Sequence, residues 1–141
     1  MTPFTRRELT RAWKCIRLAS NTTPRTDAHR LLLFYAVECG LKAVHLRQLN
    51  IDVIDESIGR QHLHNLNSLL TELKVGKEYF LPLSITIAPI RRRDGSEQLR
   101  HVDIGSLNQI WRYGGGLSGA DNALLEEKLE KISTWIAKEI R

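Results

Sequence analysis

Ala28-His29-Arg30-Leu31-Leu32-Leu33-Phe34-Tyr35-Ala36-Val37-Glu38-Cys39-Gly40-Leu41-Lys42-Ala43-Val44-His45-Leu46 decides the fold of this chain. Leu31, Leu32, Tyr35, Ala36, Cys39, Ala43 and Leu46 recur at helical spacing, and Leu33, Phe34, Val37 and Leu41 widen that stripe. So broad an apolar surface predicts one long helix, from about Asp27 to Gln48, that is central to a bundle or also faces another subunit. Gly40 inside it costs about 1 kcal/mol against alanine, which a close helix approach would offset. Glu38 and Lys42 lie four apart and can meet on one face as a structural ion pair.

Outward from this helix, Thr5-Arg6-Arg7-Glu8 is a capping box that opens a first helix with Leu9, Ala12, Trp13 and Ile16 on its apolar side. Asn21 to Pro24 ends it. Asn50 to Gly59 reads as a loop, with a helical turn around Val53–Ser57. A third helix is expected over Gln61–Leu73, with Leu63, Leu66, Leu69, Leu70 and Leu73 inward, and a short helix over Val75–Phe80. Residues 81–103 hold Pro82 and Pro89, so no continuous helix runs through them. Ile85-Thr86-Ile87-Ala88 alternates like a strand and Asp94-Gly95 suits a hairpin turn. A small β-hairpin and an irregular basic loop both fit. Asp103 or Ser106 opens a helix through Trp111, Gly114-Gly115-Gly116 ends it, and Asn122–Ile140 forms the last helix.

The expectation is an all-α, up-and-down bundle of about four main helices, one domain over residues 1–141 with an insertion near 81–103. No apolar run nears the roughly 20 residues that span a bilayer. Residues 1–7 lack the apolar stretch of a secretory signal, so a cytoplasmic protein with no membrane contact is expected. Cys15 and Cys39 fall on helix interiors and read as inert core thiols. Neither cysteines nor carboxylates show metal-ligand spacing, and no cofactor is implied.

The net charge is +5, and residues 1–20 hold Arg6, Arg7, Arg11, Lys14 and Arg17 against Glu8 alone. Arg7, Arg11 and Lys14 suit either a phosphate-binding face or a solvated one. Arg91, Arg92, Arg93 and Arg100, with His101, form a second basic cluster suited to nucleic acid or an acidic protein partner.

Three short motifs carry a resemblance: Ala36…Glu38…Lys42, His64-Asn65-Leu66 with Leu69-Leu70, and Arg112-Tyr113-Gly114. In order and spacing they resemble the HEPN superfamily, small helical proteins of bacterial toxin–antitoxin and antiviral defence systems, with Asn65 where the family has aspartate. The resemblance covers about residues 5–138 less the insertion. It implies a helical bundle, a homodimer, a partner protein encoded nearby, and in many members metal-independent ribonuclease activity from an Arg-x4–6-His motif near the last helix. Here no histidine follows Arg112; Arg93 and His101 have seven residues between them, and Arg60 and His64 have three. The implied function is therefore a catalytically degenerate subunit that binds a protein partner, RNA or both. One alternative is a ribonuclease with a rearranged site of Arg60, His64, Arg112 and His101, since cleavage at a 2′-hydroxyl needs a base, an acid and a cation. Another is a non-catalytic nucleic-acid-binding module. For His64, packing at the start of the third helix is favoured over catalysis.

Overall fold

The computed structural model describes residues 2–55, 57–58 and 61–140. Among these residues the chain is mostly helical, with five α-helices and two small antiparallel strand pairs. Helix α1 (Arg6–Ser20) starts at the capping box: the Glu8 N–H donates to Thr5 Oγ1 at 3.0 Å and the Thr5 N–H donates to Glu8 Oε1 at 3.0 Å. The Thr5 N–H bond, and then a 2.9 Å bond from the Thr5 hydroxyl to the same oxygen, hold the Glu8 carboxyl below its ordinary pKa. Strand β1 (Phe4–Thr5) pairs with β2 (Val53–Ile54) and ties the start of α1 to the segment after the next helix. Val53 and Ile54 are therefore strand, and of the helical turn expected around Val53–Ser57 the described helical residues are Ser57 and, beyond it, Ile58.

Helix α2 (Asp27–Leu49) is the centre of the molecule. Its deepest side chains are Leu33, Phe34, Ala36, Val37, Leu41 and Leu46, while Leu31, Leu32, Tyr35 and Cys39 are half-buried. The residues that widened the stripe thus form its core, because α2 is covered on several sides. Helix α1 runs antiparallel to it, and α5 (Gly119–Glu139) runs parallel to it. Arg30 meets Glu126, Gly40 meets Ile136, and the Arg47 guanidinium donates to the Glu139 carbonyl, in that order along both helices.

Helix α3 (Leu66–Glu72) is shorter than the expected span. Asn65 caps it, its side-chain oxygen accepting from the Ser68 N–H at 3.0 Å. Asparagine satisfies end-of-helix donors better than it continues a helix, so the helix begins after it. Residues 61–64 form a turn instead, with Leu63 and His64 both at positive φ, 39° and 64°. Leu63, expected inward, is 65% exposed. A 3-10 turn at Lys77–Tyr79 replaces the short helix expected there. Buried Asn67 of α3 anchors the chain beyond that turn, its amide donating to the Leu81 carbonyl and accepting from the Leu81 N–H, both at 2.8 Å.

The insertion is a β-hairpin, β3 (Ser84–Arg91) against β4 (Glu97–Asp103). Gly95 takes φ +86° in its turn, a backbone that glycine adopts without steric cost. Ile85 and Ile87 anchor the base in the core, while residues 88–99 are exposed and form an arm. A 3-10 turn (Ile104–Ser106) leads into the short α4 (Asn108–Arg112). Trp111 is buried and its indole N–H donates to Asn122 Oδ1 at 3.0 Å, tying α4 to α5. Trp13 is also core, and Trp135 packs against the core half-buried.

The cysteine expectation needs correcting. Cys15 is exposed, since it sits two residues, or about 200° of helix, from buried Trp13. Cys39 is half-buried, and burial pushes its thiol pKa up. No helix among the described residues is long and apolar enough to cross a membrane.

Candidate functional site

Two polar constructions flank α2. The first is a seam made by Glu38, Lys42 and His45, which share one face at i, i+4 and i+7. Glu38 Oε1 accepts from the Lys42 ammonium at 3.2 Å, and Glu38 Oε2 lies 2.7 Å from His64 Nδ1. The side chains of Glu38 and Lys42 are only 9% and 18% exposed. The pair is therefore largely desolvated, and each charge depends on the other. His64 is half-exposed; its ring also lies 6.4 Å from that of Tyr35, whose hydroxyl accepts from Asn108 Nδ2 at 3.4 Å. The carboxylate of Glu38 thus holds a residue whose backbone is in the left-handed region, which stabilises the 61–64 turn.

Deeper in the same seam, the rings of His45 and His62 meet edge to face at 5.9 Å. His62 Nδ1 lies 2.5 Å from Ser68 Oγ, and Glu72 Oε1 is 3.9 Å from His45 Nε2. His62 Nε2 is buried with no hydrogen-bond partner among the described residues. Burial, and then the neighbouring His45, lower the His62 pKa. The unfolded chain therefore binds a proton that the folded chain resists. Stability present above the ordinary histidine pKa of about 6.5 is lost as pH falls below it, at up to about 1.4 kcal/mol per pH unit. Denaturant titrations at pH 7 and pH 5.5 are expected to show this loss in the native protein and a smaller one in His62→Leu. Equal losses in both would show that another group sets the acid sensitivity.

The second construction is a groove of about 580 Å³ between α1, the C-terminal half of α2 and the end of α5. Arg6, Arg7, Arg11, Lys14 and Arg47 line it with Thr10, Cys15, Ala43 and Ile140, and no Asp or Glu among the described residues does. Arg6 pairs with the exposed Asp52 at 3.2 Å. Arg7, Arg11 and Lys14 make no ion pair with another described side chain. Helical rise places them about 6 and 4.5 Å apart along α1.

The described members of the expected catalytic set sit on three different elements. His64 is in the seam. Arg112 is exposed, its guanidinium 5.4 Å from the Tyr113 ring centre. His101 lies on β4 opposite Thr86, lining a cleft with Tyr113. No hydrogen bond or ion pair among the described residues joins His64 to His101 or Arg112. Arg60 lies outside the described residues. In the second basic cluster, Arg91 Nε donates to Glu97 at 3.0 Å and Arg92 donates to Gln98. Arg100 donates twice to the Ala88 carbonyl, at 3.0 and 2.7 Å. Much of that cationic capacity is used within the hairpin; Arg93, in the turn, has no side-chain partner among the described residues.

Sequence reasoning found Arg7, Arg11 and Lys14, and placed His62 in a group with Arg60 and His64, but missed Arg47 and the contact of His62 with His45. The spacing of the first three was visible locally. Arg47 joins them only because α2 packs against α1. His45 and His62 meet only through the turn after α2. Among the described residues no three His, Cys, Asp or Glu side chains are placed to hold a metal ion. No family model matches this chain, and no curated protein or solved structure matches it.

Proposed function

We propose that this chain is a HEPN-like, non-catalytic subunit that binds RNA through the groove of α1, α2 and α5. The observation that carries this reading is the lining of five cationic side chains with no Asp or Glu among the described lining residues. Arg6 pairs with Asp52, but Arg7, Arg11 and Lys14 form no ion pair with another described side chain, and such a concentration of positive charge favours a polyanion. The placement of the seam supports the non-catalytic part. Ala43 and Arg47 face the groove, while Glu38, Lys42 and His45 face the turn and α3, roughly 150° away around α2. RNA in the groove would not reach His64 of the same chain. The setting in a bacterial defence or toxin–antitoxin system rests on the sequence resemblance alone.

Fluorescence anisotropy with a labelled single-stranded RNA tests the reading. Binding is expected to weaken steeply with salt. The triple variant Arg7→Ala/Arg11→Ala/Lys14→Ala is expected to flatten the slope of log K against log salt by about 2, the loss of three phosphate contacts on a single strand. Undetectable binding at low salt, or an unchanged slope, overturns it. The second reading is a metal-independent endoribonuclease, favoured by the His64 imidazole oriented on Glu38 with its ring half-exposed. Cleavage of RNA in EDTA that disappears in His64→Ala would establish that reading and remove the non-catalytic one.

A further inference from the structure

We propose that the cleft between the hairpin and α4 captures an unpaired nucleobase of a single-stranded nucleic acid. The inference rests on the RNA-binding reading and adds to it a second contact at a different place. The cleft holds about 420 Å³ and is built by Gln98, Arg100 and His101 of β4, Gln109 of α4, and Tyr113. Gly114 and Gly115 complete one wall. The close approach of that wall depends on glycine: a Cβ on Gly115 would lie 3.3 Å from Ile87 Cδ1.

Each part suits a base with its phosphate. Tyr113 is 70% exposed, although it is a large aromatic side chain. The Arg112 guanidinium lies 5.4 Å from its ring centre, so a base stacking on the Tyr113 ring would complete a layered arrangement. The Gln109 amide offers a donor and an acceptor, which base edges require, and Gln98, whose amide oxygen accepts from Arg92, adds its amide N–H donors. No carboxylate among the described residues lines the cleft, while Arg100 and His101 do. Arg100 is held in place by an irregularity of the hairpin. Ala88 and Pro89 have no partner in register, and the Arg100 guanidinium takes the Ala88 carbonyl. The contrast with the α1 groove is chemical. That groove has no aromatic among its described lining residues and suits backbone phosphates of any strand, paired or not. The cleft needs a base that is free to leave a stack.

The test compares two RNA probes of equal length, an unstructured oligoadenylate and a blunt duplex, by fluorescence anisotropy. Tyr113→Ala is expected to weaken oligoadenylate binding roughly ten-fold, to leave the duplex unchanged, and to be rescued by Tyr113→Phe. The triple α1 variant is expected to weaken both probes. Loss of neither probe, or equal loss of both, in a folded Tyr113→Ala protein overturns the inference and leaves the groove reading standing. If neither probe binds the native protein, the groove reading fails. Titration with adenosine monophosphate then decides the cleft, followed through the amide resonances of Gly114 and Gly115. Saturable shifts that Tyr113→Ala abolishes support it, and unshifted resonances overturn it.

Discussion

Glu38→Leu is expected to cost about 3 kcal/mol of folding stability, a drop of roughly 10 °C in Tm for a domain of this size. The size of the effect comes from what the substitution leaves behind. The Lys42 side chain is 18% exposed, and its one carboxylate partner among the described residues is Glu38. Removing the carboxylate strands an ammonium in a mostly dry position. It also releases His64, whose left-handed backbone is held by the 2.7 Å contact to Glu38. The second substitution of a cycle separates the two losses. Lys42→Met alone is expected to be destabilising, because it leaves Glu38 buried with only His64. In the double variant Glu38→Leu/Lys42→Met both charges are gone, and much of the lost stability is expected to return, since apolar replacement of a whole buried pair is often neutral. Urea titrations of the four proteins give the coupling directly. Additive losses would mean that the pair is solvated and that the 61–64 turn does not depend on it.

The capping box of α1, the span of α2 and the hairpin turn are legible in the sequence because each is decided by neighbours within a few residues. Thr5 and Glu8 carry their own hydrogen bonds. Asp94-Gly95 carries its own turn chemistry. Errors lie where partners are distant. Local reading starts α3 too early because Gln61 to His64 are compatible with helix, while the contact that holds them in a turn comes from Glu38, 26 residues before His64. The periodicity of α2 misjudges which side chains lie deepest, since a helix covered on several sides has no single apolar face.

For the candidate site, composition points to two basic clusters of similar weight, and the structure distinguishes them. In the hairpin, cross-strand pairing brings Arg91 to Glu97 and Arg92 to Gln98, and the bulge draws in Arg100. On α1 the single acid, Glu8, is taken up by the cap. Arg7, Arg11 and Lys14 are then left to face a groove, and Arg47 joins them from α2. A count of charges carries none of this, because it depends on which carboxylates are already engaged.

Gly40→Val is expected to cost about 3 kcal/mol, and Gly40→Ala a smaller but still unfavourable amount. Gly40 stands where α1, α2 and α5 meet. A Cβ built there would lie 2.7 Å from Trp13 Cδ1 and 2.9 Å from both Cδ1 and Cγ2 of Ile136. Neither neighbour has room to withdraw, since Trp13 and Ile136 are both buried in the core. Alanine gains about 1 kcal/mol of helix propensity over glycine, and overpacking a close-packed core costs about 1–3 kcal/mol, so the contact outweighs the propensity. Valine adds two methyl groups to the same collision and brings less propensity. Gly119, the first residue of α5, supplies the contrast. A Cβ there meets nothing within 4 Å, so Gly119→Ala is expected to be neutral or slightly stabilising. Urea midpoints at unchanged m-value measure all three variants. Ile136→Val removes the Cδ1 that a Cβ at position 40 would strike, and is expected to recover part of the loss in Gly40→Ala. If Gly40→Ala is instead as stable as the native protein, the three helices do not approach as closely as this packing requires, and Gly40 is retained for some reason other than the crossing.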